Sequence, residues 1–227
     1  MSSQKAAEQV VDEARSLGVK AESIQADLIN DSEVTGLISR AASLMNRPLN
    51  VLVNNASIFE YDNIQTVSLE SWDRHIGSNL KAPLFLMQEF SKQVPDGEKE
   101  TSGENIPQGN IINIVDQRVL KKTPEFFTYS LAKMGLWSLT QTAAQALAPK
   151  IRVNAIGPGP TLKGHRQEEG HFQRQRQNTV LKRGSAPSEI FDALKFILNT
   201  PSITGQLICI DGGQHLAWKT ADIIGIE

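Results

Sequence analysis

Short apolar runs alternate with amphipathic stretches along most of the chain. The apolar runs are too short for helices and are typical of strands buried in a parallel sheet, and they cover residues 50–53, 111–115, 151–156 and 207–210. The amphipathic stretches repeat their apolar positions every three to four residues, which predicts helices over residues 3–17, 68–93 and 187–198. Strands that alternate with helices at this spacing predict an α/β fold with a doubly wound parallel sheet.

The start of the chain follows the same alternation. Gly18 stands after the first predicted helix, where glycine is favoured as a helix stop. Residues 22–26 then form a short predicted strand. Asp31 or Ser32 can cap a second helix, because both side chains accept hydrogen bonds from main-chain N–H groups of a first turn.

Three further features divide the rest of the chain. Ser68 is expected to cap the long third helix, which Pro83 should kink. Residues 95–109 are charged and rich in glycine, which predicts an exposed loop. Residues 162–183 carry six Lys and Arg against two Glu, and they either attract an acidic ligand or form a solvated helix face.

Tyr129 and Lys133 stand four positions apart in the helix that follows the 111–115 strand. Residues with this spacing share a helix face, so the ammonium can lie beside the phenol. A nearby cation favours the phenolate and lowers the pKa of a tyrosine from its usual value of about 10, which makes Tyr129 a candidate proton donor. The pattern alone also fits an ordinary helix pair with a lysine that reaches solvent.

Composition narrows the class of partner. A chain of 227 residues with 40% hydrophobic content suits one domain over residues 1–227. A net charge of -2 provides no positive potential that would attract nucleic acid or anionic membranes. The single cysteine, Cys209, allows no disulfide within the chain, which fits a reducing cytoplasm. No apolar run approaches membrane-spanning length. His165 and His171 are six positions apart and share no helix face, so we predict no metal site.

Five landmarks together resemble the short-chain dehydrogenase/reductase family, over essentially the whole chain. The Tyr-Ser-Leu-Ala-Lys motif that ends at Lys133 follows an apolar strand, as in that family. The other landmarks occur in the family's order: Asp27 closing one strand, Asn54, Asn55 and Ala56 closing another, Asn79 in a helix, and Pro158 with Gly159 after a later strand. The resemblance implies a Rossmann-like fold and an NAD(P)H-dependent oxidoreductase.

The resemblance also implies roles for individual residues. Tyr129 would be the catalytic acid, Lys133 would hold the nicotinamide ribose, and Asn79 would support a proton-relay water. The implied cofactor-binding set is Asp27 and Leu28 at the adenine, Asn54, Asn55 and Ala56 on the nicotinamide side, Tyr129 and Lys133, and Pro158, Gly159 and Thr161. NADPH is the expected cofactor, since Ser2 and Ser3 match serines that often accompany its use, and NADH stays open.

Asp116 stands where the family usually has a catalytic serine, thirteen residues before the tyrosine. A carboxylate fits poorly beside a carbonyl that becomes an alkoxide, because like charges repel. It fits the reduction of a C=N bond, since a partly buried Asp with a raised pKa can protonate nitrogen together with Tyr129. This substitution resembles the pteridine reductases, in which residues matching Ser57 and Phe59 hold a flat pterin. The resemblance therefore implies a dihydropterin or dihydrofolate-type substrate bound by Ser57, Phe59, Asp116 and Tyr129.

Two other functions stay open. One is an ordinary carbonyl or 3-oxoacyl reductase of the same family, with Asp116 incidental. The other is a non-catalytic remnant, because the family begins with a strand, a glycine-rich turn, a helix and a second strand that this sequence does not match. We expect the native protein to contain that βαβ start and to need it for the reductase activity, and the chain as given to be an N-terminally truncated form that binds NADPH poorly. The resemblance also implies a homotetramer.

Overall fold

The computed structural model describes residues 3–164 and 167–220. Ser2 and His165, on which two of the expectations above rest, lie outside the described residues, as does the side chain of Ser3.

A parallel sheet of four strands forms the centre of the described chain. The strands of the described chain are β1 (Val51–Asn54), β2 (Glu98–Lys99), β3 (Asn105–Ile106), β4 (Gly109–Ile114), β5 (Ile151–Pro158) and β6 (Leu207–Ile210). The order in the central sheet is β1, β4, β5 and β6, with Val53 beside Ile112 and Ile112 beside Asn154. A separate antiparallel pair, β2 and β3, lies outside this sheet.

Helices cover both faces of the sheet. The α-helices of the described residues are α1 (Ser3–Ser16), α2 (Asp31–Val34), α3 (Leu37–Met45), α4 (Leu69–Ile76), α5 (Ala82–Gln93), α6 (Phe127–Leu147), α7 (Glu169–Gln177) and α8 (Pro187–Asn199). Ile111 of β4 packs with α5 and α6, whereas its neighbour Ile112 packs with α8. Successive residues of a strand face opposite sides, so the adjacent apolar residues Ile111 and Ile112 of β4 can pack against two helix layers. The expected α/β, Rossmann-like architecture is confirmed.

The strand predicted at residues 22–26 is wrong. These residues have no regular secondary structure, and no strand of the described chain lies beside them. A strand exists by pairing, and residues 22–26 have no ladder to join. Because no strand of the described chain pairs with its outer side, β1 is the edge of the sheet. Val51 and Val53 are 36% and 39% exposed, whereas the sequence predicted a strand buried on both faces.

The remaining helix predictions are right in position and differ in detail. Gly36, with φ of 76°, separates α2 from α3, where one helix was expected. Ser68 caps α4 and exchanges hydrogen bonds with Ser71, as a capping box. In place of a simple kink at Pro83, a π-helical turn at Gly77–Lys81 joins α4 to α5.

Residues 95–109 contain the β2–β3 pair and are therefore more ordered than the expected loop. Cys209 lies in β6 and is only partly buried. Within residues 3–164 and 167–220, no helix has the length and apolar content needed to cross a membrane.

Candidate active site

The carboxyl ends of β1, β4 and β5 open on one edge of the sheet. Asn54 ends β1, Asp116 follows β4, and Pro158 ends β5. In open parallel sheets this edge is where ligands bind. The helix α6 begins at Phe127, close to this edge, and carries Tyr129 and Lys133 on one face.

Asp116 and Tyr129 are in direct contact. The Tyr129 hydroxyl donates a hydrogen bond to Asp116 Oδ2 at 2.9 Å. The other oxygen, Oδ1, accepts the main-chain N–H of Arg118 at 2.8 Å and so caps a short 3₁₀ turn, Gln117–Val119. One carboxyl group thus fixes both the phenol and the chain that leaves β4.

Lys133 is 3% exposed and lies beneath this pair. Its Nζ donates to the carbonyl of Ile114 at 2.8 Å and lies 5.8 Å from the centre of the Tyr129 ring. An ammonium has three donors. The single hydrogen bond to Ile114 orients the group and leaves donors for a ligand.

The pKa of Tyr129 differs from the sequence expectation. Burial disfavours the phenolate and the neighbouring Asp116 adds repulsion, so the Tyr129 pKa lies well above 10. Lys133 does not offset these effects, because burial also lowers its own pKa to about 8. Burial raises the pKa of Asp116, against the opposing influence of the Arg118 N–H and guanidinium. The pKa of Asp116 is therefore raised, as expected. The pKa of Tyr129 is raised instead of lowered, so Tyr129 stays a neutral phenol.

An aromatic wall, made of Phe59 and Phe126, stands over the Asp116–Tyr129 pair. The two phenylalanine rings stack with centres 4.3 Å apart, and Phe59 meets the Tyr129 ring edge-on at 4.7 Å. Phe59 is 49% exposed, so the wall faces solvent. Phe126 has φ of 55°, a left-handed conformation that is rare for a bulky residue. Sequence reasoning named Phe59 and missed Phe126.

Asn79 supports the loop that carries Phe59. Its side chain accepts from the Ile58 N–H at 2.9 Å and donates to the Ile58 carbonyl at 2.8 Å. Asn55, Ala56 and Ser57 are exposed along this loop. The water-relay role expected of Asn79 stays a prediction, whereas its hold on Ile58 is visible directly.

Asn54 is buried and belongs to a polar chain that crosses the sheet. Its amide donates to Asn113 at 2.8 Å, and Asn113 donates to Thr140 of α6 at 2.9 Å. Asn113 carried no local signal in the sequence, because a polar residue within an apolar strand acquires its partner only when the strands pair.

Asp62 and His75 are two further residues that sequence reasoning missed. Asp62 accepts the main-chain N–H of Thr128 at 3.1 Å and the hydroxyls of Thr128 and Ser71, which satisfies the start of α6. His75 is fully buried, with Nδ1 2.7 Å from the Thr128 hydroxyl oxygen. These contacts hold the N-terminal turn of α6, and with it Tyr129.

Pro158, Gly159 and Thr161 lie at the carboxyl end of β5, on the same edge of the sheet. The Gly159 N–H donates to the Ile210 carbonyl at 3.0 Å, and Thr161 Oγ1 donates to the Gly159 carbonyl at 3.1 Å. A Cβ at Gly159 would lie 2.6 Å from the Cα of Asp211, so only glycine allows this approach.

Asp27 and Leu28 lie in the segment that leads into α2. Asp27 is exposed, and its Oδ1 accepts the N–H of Ile29 at 3.0 Å. Among the described residues, no hydrogen bond or ion pair joins Asp27 to Asp116, Tyr129 or Lys133. No group of three or more His, Cys, Asp or Glu in the described part of the chain could hold a metal ion.

A family model and curated relatives define the class of this protein. The model described as enoyl-(acyl carrier protein) reductase matches residues 1–215. The 3-oxoacyl-[acyl-carrier-protein] reductase of Synechocystis sp. is 32% identical over 213 residues, which cover 92% of this chain and 82% of the relative. The chain belongs to the short-chain dehydrogenase/reductase family and is an NAD(P)H-dependent oxidoreductase.

Two solved structures refine this comparison. FolM alternative dihydrofolate reductase 1 from Brucella canis, complexed with NADP, is 41% identical with a TM-score of 0.89, and the match covers 97% of this chain and 83% of that one. Its counterpart from Brucella suis, in complex with NADP, is also 41% identical with a TM-score of 0.90, over 98% and 85% of the two chains. The expected likeness to the pteridine reductase-like subgroup is confirmed.

Proposed function

We propose that this protein uses NADPH to reduce a C=N bond of a dihydropterin or dihydrofolate-type substrate. The observation that carries the proposal is the 2.9 Å hydrogen bond between Tyr129 and Asp116, in which a carboxyl group with a raised pKa stands at the usual position of a serine. A protonated carboxyl group is a donor suited to a basic nitrogen, whereas an ionised one repels a developing alkoxide.

The residues at the sheet edge fit the nicotinamide half of NADPH. Lys133 has donors to spare for ribose hydroxyls, and the exposed loop of Asn55 and Ala56, together with Pro158 and Thr161, borders the open edge between the strands. Bound there, NADPH would supply the hydride. The hydrogen bond from Asn54 to Asn113 would hold the loop after β1 in place, and Gly159 would keep the end of β5 close to the end of β6.

Proton delivery would start from Asp116. Its raised pKa keeps a larger protonated fraction near neutrality than an exposed aspartate has, and Oδ2 lies in the site beside Tyr129. Tyr129, whose pKa is raised further, remains a phenol and would donate the hydrogen bond that orients this carboxyl group. Asp116 and Tyr129 would thus act as one proton-donating unit with coupled titration.

Phe59 and Ser57 would form the substrate wall. The Phe59 ring is half exposed and lies against Tyr129, so a flat heteroaromatic ring can stack near the proton donors. The Brucella neighbours are named as dihydrofolate reductases and contain NADP, which supports both the substrate class and NADPH as cofactor.

A direct assay would compare NADPH oxidation with 7,8-dihydropterins and with a 3-oxoacyl thioester. We expect turnover of the dihydropterin to exceed that of the thioester by about 100-fold or more in kcat/KM, given the poor match of Asp116 to an alkoxide. An equal or higher rate with the thioester would contradict the assignment.

The second candidate is a 3-oxoacyl reductase. Curated relatives with that activity in their names support it, including those from Synechocystis sp. and Staphylococcus epidermidis at 32% and 30% identity. In that case wild-type protein should reduce the 3-oxoacyl thioester at least as fast as a dihydropterin, and Asp116→Ser should leave this preference unchanged, because Asp116 is incidental.

We further propose that residues 1–227 act as one domain in a cytoplasmic homotetramer. Large apolar side chains on α4 and α5 remain exposed in the single chain, and they include Leu69, Trp72, Leu84 and Phe85. Exposed apolar patches of this kind mark contact surfaces. Light scattering at micromolar concentration should give four times the mass of one chain, and a monomer would contradict the proposal.

A further inference from the structure

Arg118 differs from two other arginines of the described chain that are shielded from solvent, Arg152 and Arg176. Arg152 donates to the carbonyls of Thr200, Ile203 and Leu198, and Arg176 donates to those of Pro160, Gly184 and Ser185. The Nη1 atom of Arg118 is also hidden from solvent, but it has no hydrogen-bond partner among the described residues. Within the described residues, no carboxylate lies within ion-pair distance of its guanidinium.

The position of Arg118 is fixed by the candidate active site. Its main-chain N–H is bound by Asp116 Oδ1 at 2.8 Å. Its guanidinium carbon lies 4.7 Å from the centre of the Phe126 ring and 5.4 Å from that of Phe59. The aromatic wall thus holds the cation beside the exposed ring that would meet a substrate.

Contact with aromatic rings leaves the binding capacity of a guanidinium intact. The rings attract the positive charge, whereas the five N–H groups of the guanidinium form a planar fork that matches a carboxylate. A hidden donor without a partner is costly, so a ligand that satisfies it gains the corresponding free energy. The neutral groups of a pterin ring or a hydroxylated side chain would use this fork less fully than an anion would.

We propose that Arg118 is a specificity-determining residue that binds a carboxylate on the side chain of the substrate. The inference rests on the proposed function and narrows it, from pterins in general to pterins with an acidic tail, such as folates. The aromatic wall would hold the flat ring and the edge of Arg118 would hold the tail.

Direct binding tests this inference apart from catalysis. Calorimetry would compare folate, its diamide in which both tail carboxylates are neutral, and biopterin, each with the NADP-loaded protein. Wild-type protein should bind folate about tenfold more tightly than the diamide, and Arg118→Met should remove this preference while changing the affinities for the diamide and biopterin less than about threefold.

Two further variants separate charge from packing. Arg118→Lys keeps the charge without the fork and should retain only part of the preference, and Lys122→Gln, which removes an exposed cation from the same loop, should retain all of it. Equal affinity of wild-type protein for folate and the diamide, or equal losses for all three ligands in Arg118→Met, would overturn the inference.

Turnover separates the two proposals. If Arg118 governs folate binding but neither dihydrofolate nor dihydrobiopterin is reduced, the proposed reaction is wrong and the carboxylate site stands. If both substrates are reduced and the folate preference does not depend on Arg118, the reaction stands and the carboxylate site is wrong.

Discussion

The two ends of the candidate site are built differently. At the proton-donating end, Tyr129 and Lys133 are 6% and 3% exposed, and each makes a hydrogen bond to a neighbouring strand or its end. At the end expected to meet adenine, Asp27 is exposed on a segment without regular structure, and its carboxylate accepts the nearby main-chain N–H of Ile29.

The proton-donating end holds groups that are expected to take part in the reaction, whereas the adenine end holds groups that are expected only to border the cofactor. Buried hydrogen-bonded side chains hold one geometry and shift their pKa values, whereas exposed side chains move with their loops. Substitutions should therefore have large effects at the first end and small effects at the second.

The largest effect should come from Tyr129→Phe and Lys133→Met. Each should lower kcat/KM for a dihydropterin by about 10²- to 10⁴-fold, because the first removes the phenol that positions Asp116 and the second removes the buried cation. Steady-state kinetics would measure the loss. Tyr61→Phe is the matched control, and a Tyr129→Phe enzyme with near-normal turnover would reject the site.

Asp116→Ser should have the next largest effect on activity. Dihydropterin reduction should fall by about 10²-fold or more, and reduction of a ketone should fall less or rise, since serine suits an alkoxide. The ratio of the two rates is the informative quantity. An equal loss on both substrates would indicate a purely structural aspartate.

The pH profile should show the state of Lys133. Its pKa of about 8 means that the ammonium loses its proton as pH rises through that value, more than two units below an ordinary lysine. The kcat/KM for dihydropterin should therefore decline above about pH 8. In Lys133→Arg, whose guanidinium stays charged, the residual activity should lose this alkaline decline, and a decline that persists there would belong to another group.

Phe59→Ala should have a moderate effect on one ligand only. We expect the KM for a dihydropterin to rise roughly 3- to 10-fold, with the Kd for NADPH nearly unchanged, because the ring faces the substrate side. Phe196→Ala is a suitable control, since Phe196 is also a half-exposed phenylalanine. Parallel losses in both affinities would instead favour a packing role for Phe59.

The smallest effect should come from Asp27→Asn. An exposed carboxylate at the rim contributes little, so the Kd for NADPH should change by less than about threefold. Fluorescence titration would measure it. A change above tenfold would show that the adenine end is as tightly built as the other.

The sequence predicted most of what depends on neighbours along the chain. The four strands of the main sheet follow from apolar runs, and the Tyr129–Lys133 pair and the cap at Ser68 follow from spacing within a helix. The contact of Asp116 with Tyr129 was accessible only through the family resemblance, because it joins a loop to the following helix.

What the sequence did not show depends on distant partners. Asp62 meets Thr128 across 66 positions, and Asn113 meets Asn54 across 59. The predicted strand at residues 22–26 failed because strand character requires a ladder beside it. The direction of the Tyr129 pKa was wrong because spacing reveals a cation nearby but not the depth at which both groups are buried.

The π-helical turn at Gly77–Lys81 behaves as a one-residue insertion in an otherwise regular helix. Each residue of an α-helix advances the rotation by about 100°, so one additional residue turns everything beyond it toward a new face. Shortening this turn by one residue would leave helical content intact while rotating Asn79 relative to Pro83 and the rest of α5. Such a deletion variant should have a normal circular dichroism spectrum, but Asn79 should no longer hold the main chain of Ile58. The π-helical turn therefore matters for the direction in which Asn79 points, and not for the stability of the helix.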